Sequence, residues 1–287
     1  MLGKLFYHEW KDTWKLMTIL NGAVIALSVL GMIFAATGNI ADVFKRNDAG
    51  SVWMFIMYIS FVMVYVLGII TLSLGTTLYF YVRFYRNLYT DQGYLMHTLP
   101  VTAHELILSK ALVAFIWKAI STLVVGLGII SIILSFASTT GNILNEIMPY
   151  GRDIFDEYVD QVYDGNAGLF FLYIIVMLLA GIGGLTYSIF MGYAAISLGQ
   201  QAKKNKVLAS VGIFFGINIA VSMATNMINQ FVMLFVVRFD ADNAFRPGRF
   251  GAASIGISFL MALIVYALSA LFYMISYRIM GKGLNLD

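Results

Sequence analysis

From Leu169 to Leu198 the chain reads LFFLYIIVMLLAGIGGLTYSIFMGYAAISL, with no Asp, Glu, Lys or Arg in it. A bilayer's hydrocarbon core is crossed by roughly 20 apolar residues in a helix, because every backbone amide there has to bond within its own segment. The stretch therefore predicts a membrane-spanning helix, and the rest of the chain repeats the pattern. Working outward, further spans fall at about 16–36, 52–81, 106–136, 207–237 and 252–277, with the opening stretch itself at 169–198. Six spans place both termini on one side. Several are longer than a perpendicular crossing needs, so they tilt or continue as helices beyond the membrane.

Composition agrees. Of 287 residues 60% are hydrophobic and 11% charged, and a mean hydropathy of +0.84 excludes an ordinary soluble fold. The expected fold is an all-α integral membrane protein, a single transmembrane domain over 1–287. Cysteine is absent, which removes disulfides, thiol nucleophiles and thiolate metal sites. The net charge of +3 includes no like-charge block suggesting nucleic acid. Eleven Lys and Arg lie in the set formed by the N-terminus, the second and fourth connections and the C-terminal tail; six lie in the opposite set. That opposite set also holds Glu146, Asp153, Asp156, Glu157, Asp160 and Asp164. Basic residues favour the cytoplasmic side, so both termini are expected there.

Local patterns sharpen the reading. In the N-terminal stretch Leu2, Phe6, Trp10, Thr13, Trp14 and Met17 share one helical face and Lys4, His8, Lys11 and Lys15 another. This predicts an amphipathic helix over 1–15 in the headgroup plane, the alternative being a cytoplasmic extension of the first span. Thr102 and Glu105 form a capping box that opens the third span after Pro100. The connection before it, from Asn87 to Leu99, is too apolar for a solvated loop; it packs either on the protein's own helix ends or membrane surface, or on a partner. In the fifth span Asn218, Ser222, Thr225, Asn226 and Asn229 form one polar stripe, serving either as hydrogen-bonding glue between helices or as the wall of a water-accessible path. Ala180, Gly184, Ser188 and Gly192 make a small-residue face for close helix packing. Lys118 is expected to snorkel to the headgroups, against the alternative of a functional buried charge. The segment 138–167 predicts an external amphipathic helix marked by Ile143, Ile147, Ile154, Tyr158 and Val162, with a poorly ordered loop as the alternative.

Chemistry of its own is missing. There is no phosphate-binding G-x-x-x-x-G-K-[ST] loop, no H-E-x-x-H and no G-x-S-x-G, and His8, His97 and His104 lack metal-ligand spacing. Acidic residues fall in connections or at span ends, which disfavours proton or sodium coupling. If the chain transports something, the driving free energy enters from another polypeptide. A non-transporting membrane scaffold or sensor that binds a cytoplasmic partner is the competing reading.

The passage Phe84-Tyr85-Arg86-Asn87-Leu88, followed by Gly93-Tyr94-Leu95-Met96-His97-Thr98-Leu99-Pro100-Val101-Thr102 and Glu105-Leu106-Ile107-Leu108-Ser109-Lys110, resembles the membrane-spanning subunits of bacterial ABC exporters of the ABC-2 type. The opening Leu2 to Lys11 is similar to that family's interfacial connecting helix. The resemblance implies a multi-pass protein of the bacterial cell membrane, the permease of an ATP-driven exporter. It implies a cytoplasmic coupling helix between spans two and three, with Leu88, Tyr89, Tyr94, Leu95, Met96 and His97 docking on a separate cytoplasmic ABC ATPase. That ATPase would bind ATP and Mg; this chain would carry no cofactor and be no enzyme. A second permease subunit, favoured as a homodimer, is implied too, with spans two and five and thus Asn218, Ser222, Thr225, Asn226 and Asn229 along the translocation path. The expected substrate is amphipathic or hydrophobic, with peptides such as toxins or bacteriocins favoured.

Overall fold

A computed structural model describes residues 1–37, 49–90, 101–139, 153, 155–240 and 247–281. Among these the chain is helical, without a strand. Six long helices follow one another: α1 (Leu2–Thr37), α2 (Ala49–Tyr89), α3 (Ala103–Thr139), α4 (Ala167–Gly199), α5 (Lys206–Asp240) and α6 (Pro247–Gly281). All six are long and apolar enough to cross a membrane, so the chain is a multi-pass membrane protein. The longest, α2, has 41 residues. At 1.5 Å per residue it is about 60 Å long, roughly twice the hydrocarbon thickness of ~30 Å. Much of it must tilt or stand outside the lipid.

The chain divides into two compact units. One comprises Met1–Leu2, Tyr81–Ala111 and Asp153–Asp287; the other comprises Gly3–Phe80 and Leu112–Arg152.

In the second of these, α1 runs without a break through residue 15, where the sequence reading separates an interfacial helix from the first span. Hydropathy marks where a chain enters lipid, whereas a helix stops only where something breaks it. Between Lys11 and Leu20 there is neither Gly nor Pro. The expected membrane-facing stripe is also divided: Trp10 stacks on Trp117 of α3 at 4.9 Å between ring centroids, Thr13 is buried, and Trp14 is exposed. The buried face of α1 continues as Met17, Asn21, Val24, Ser28 and Gly31, while Leu16, Ile19, Ile25, Leu30 and Ile33 point outward. Polar groups inside and apolar ones outside is the arrangement lipid demands. Where α1 passes α2 and α3, the Ser28 hydroxyl shares a 3.2 Å hydrogen bond with the Tyr65 hydroxyl. Gly128 of α3 sits against both; any Cβ there would collide with them. Lys118 is half-buried on α3.

The other unit is built on α4, which packs along α6 and α5. The Tyr266 hydroxyl of α6 donates to the Leu179 carbonyl at 2.9 Å, and Met191, Ala194 and Phe272 form a buried apolar cluster. Of the small-residue face, Gly192 is used as expected, for the Tyr81 ring fills the space a side chain would take, and the Tyr81 hydroxyl donates to the Ser188 carbonyl. Gly184 faces open space, and its neighbour Gly183 makes the close approach to Tyr266 instead. At 100° per residue Gly183 and Gly192 lie about 180° apart, so the two close approaches use opposite faces of α4, one toward α6 and one toward α2.

Helix 155–163 precedes α4. Its buried residues are Val159 and Tyr163, with Val162 packed beside them, and Tyr158 is exposed. Ile143, Ile147 and Ile154 lie outside the described residues. Asp164 and Gly165 take positive φ and end this helix, and the Asn166 carboxamide oxygen accepts from the Gly168 and Leu169 amides at 2.9 and 3.3 Å to start α4.

Candidate functional site

Two places were singled out by sequence: the connection after α2 and the polar stripe of α5. Of the connection, residues 91–100 lie outside the described residues, and with them Tyr94, Leu95, Met96 and His97. Both flanks are described, and both belong to the unit built on α4.

On the leading flank α2 continues as a helix to Tyr89, past the expected end at 81. Phe84 is buried and stacks on Tyr193 of α4, centroids 3.7 Å apart and planes 7° from parallel. Leu88 is fully buried, and the Tyr89 hydroxyl bonds to the Ser197 hydroxyl at 2.7 Å. Leu88 and Tyr89 are thus buried within this chain, Tyr89 against Ser197 of α4.

On the returning flank the capping box is formed. The Thr102 amide donates to Glu105 Oε2 at 3.1 Å, and the Glu105 amide donates to Thr102 Oγ1 at 3.3 Å. Within the capping box, one residue before Glu105, His104 Nδ1 shares a hydrogen bond with the Tyr273 hydroxyl of α6, and the imidazole meets the rings of Tyr273 and Tyr277 edge-on. The two ends of the connection are thus held on different helices, α4 and α6. Sequence reasoning missed Tyr193, Ser197 and Tyr273. Their signal was faint: Tyr193 with Ser197, and Tyr273 with Tyr277, are four-residue pairs near helix ends, where tyrosines commonly mark a membrane interface.

The five α5 residues remain together. At 100° per residue Asn218, Ser222, Thr225, Asn226 and Asn229 span an arc of roughly 100°. Asn218 Nδ2 donates back to the Phe214 carbonyl at 3.2 Å, and Thr225 Oγ1 donates to the Val221 and Ser222 carbonyls at 2.9 and 3.1 Å. Asn218 and Thr225 are half-buried, whereas Ser222, Asn226 and Asn229 are exposed. The inner edge of the helix, Phe214 and Ile217, packs on the cluster around Met191, and the far side presents Met223, Met227 and Phe231. The stripe therefore lies on the margin between packed and open surface. Among the described residues, Asn218 and Thr225 bond back to carbonyls of α5 itself.

No group of His, Asp or Glu able to hold a metal is present among the described residues. No family model, curated protein or solved structure matches the chain.

Proposed function

We propose that this chain is the membrane-spanning permease subunit of an ATP-driven exporter of the ABC-2 type. The observation that carries the reading is the anchoring of both flanks of residues 91–100, by Phe84 and Tyr89 on α4 and by His104 on α6. A soluble motor engaging between these flanks is linked through them to four helices, α2, α3, α4 and α6. Tyr94, Leu95, Met96 and His97 are the docking residues in this account, and the partner ATPase binds ATP and Mg. The chain itself is no enzyme and holds no cofactor.

The exposed amides of Asn226 and Asn229 support a path for substrate. Side-chain amides facing hydrocarbon are costly, so in this reading a second copy of the chain faces them and encloses a polar passage. An amphipathic peptide suits such a passage, with Met223 and Met227 beside the amides. The cell membrane is the expected location, with both termini cytoplasmic and the first fifteen residues of α1 at the cytoplasmic boundary.

The test is affinity purification of the tagged chain from its native membrane in mild detergent, with mass spectrometry of what co-purifies. An ABC ATPase is expected in stoichiometric amount, lost in Met96→Asp while the variant stays folded. Recovery of a cytoplasmic protein without nucleotide-binding motifs would replace the permease by a scaffold or sensor.

A further inference from the structure

Four side-chain atoms in the unit comprising Gly3–Phe80 and Leu112–Arg152 are buried without a hydrogen-bond partner: Asn21 Oδ1 on α1, Thr76 Oγ1 on α2, and Trp117 Nε1 and Ser121 Oγ on α3. The residues are 4%, 1%, 6% and 6% exposed, so lipid and bulk solvent do not reach them. Their level in the unit follows from contacts two turns away. Ser28 meets Gly128, and stepping back seven residues along these two helices, which run the same way, reaches Asn21 and Ser121. Leu27 meets Gly68 on the oppositely directed α2, and six or seven residues on each gives positions 20–21 and 74–75, within a turn of Thr76. Trp117 is one turn from Ser121 on the same face. Adjacent turns of the three-helix packing thus carry unsatisfied polar atoms of all three helices, Trp117 lying toward the end where its ring stacks on Trp10, whereas two turns the other way Ser28 and Tyr65 satisfy each other.

The chemistry of the set selects its ligand. Asn21 Nδ2 donates to the Met17 carbonyl at 2.8 Å, which fixes the amide so that Oδ1 is the atom left over, and Oδ1 only accepts. Trp117 Nε1 only donates, and the two hydroxyls do either. A metal cation would take the oxygens and be repelled by the indole N–H. A halide would take the donors and be repelled by Oδ1. Water is small and offers donors and acceptors together, and buried waters characteristically bridge two to four such groups.

We infer that Asn21, Thr76, Trp117 and Ser121 form an internal hydration site between α1, α2 and α3, occupied by ordered water. The site gives these membrane-embedded helices hydrogen bonds that can be exchanged without exposing a polar group to lipid. It is independent of the exporter reading.

Two buried methionines test it. Met17 is 0% exposed and one turn from Asn21; Met191 is 3% exposed within an apolar cluster of the other unit. X-ray pulse radiolysis splits bound water in place, so with a scavenger removing bulk radicals only methionines beside internal water are oxidised quickly. In the full chain in detergent, mass spectrometry should find Met17 oxidised several-fold faster than Met191. The Thr76→Val/Ser121→Ala double variant, folded by far-UV circular dichroism, should bring Met17 down to the Met191 rate. Equal rates in the unaltered chain would overturn the inference without any variant. So would a Met17 rate left unchanged by the double substitution.

Discussion

Phe84→Ala removes the ring that joins the end of α2 to α4. The side chain is 1% exposed and stacks on Tyr193 at 3.7 Å, so truncation leaves a void no neighbour fills without moving. In a water-soluble core the change costs about 3–5 kcal/mol. Part of that is transfer out of water, and it shrinks here, since helices separated in a membrane leave the ring in lipid rather than water. What remains is the cavity, about 2 kcal/mol for a void on the order of 100 Å3, and the stacked pair, about 1 kcal/mol. The expected loss is therefore about 3 kcal/mol. Tyr89→Phe deletes only the hydroxyl that bonds Ser197 and should cost about 1 kcal/mol. Unfolding should be followed by far-UV circular dichroism in mixed micelles, because Trp10, Trp14, Trp53 and Trp117 all belong to the other unit and their fluorescence reports on that one. If Phe84→Ala costs no more than Tyr89→Phe, the aromatic stack does not hold the connection and the anchoring argument fails.

The glycines of α4 should separate cleanly: Gly192→Ala drives a Cβ into the Tyr81 ring and should cost about the 1–3 kcal/mol of an overpacked core, whereas the Cβ of Gly184→Ala meets nothing and should not lower the melting temperature. Asn226→Leu should leave the stability of the detergent-solubilised chain intact, since the side chain is exposed, and should depress export in cells at normal expression. Unimpaired export would remove the α5 stripe from the path.

Much of the fold could be read from residue types that act locally. Uncharged runs located the six membrane helices; Thr102 and Glu105 announced a cap that forms with both reciprocal bonds. Asp164-Gly165-Asn166 carries its own turn chemistry, ending one helix and capping the next, though the apolar spacing around it suggested Ile154, Tyr158 and Val162 as the packed face. The errors have a common origin. Which face of a helix is packed depends on a partner remote in sequence, and Trp10 with Trp117, Phe84 with Tyr193 and His104 with Tyr273 are all separated by about a hundred residues or more. Hydropathy cannot see such pairs. Nor can it foresee that Leu88 and Tyr89 are buried, because an apolar stretch that packs on its own chain and one that packs on another have the same composition. The α5 stripe was legible as a stripe, but its exposure was not, since periodicity gives the arc and says nothing of what lies opposite.

The chain contains no cysteine, so one introduced thiol is the sole attachment point for a probe. Met96→Cys carrying a photoreactive maleimide should cross-link in native membranes to a protein with an ATP-binding phosphate loop, and Phe231→Cys, 78% exposed on α5, should not. An adduct at position 96 with a protein lacking that loop, or the same adducts from both positions, would contradict the permease account.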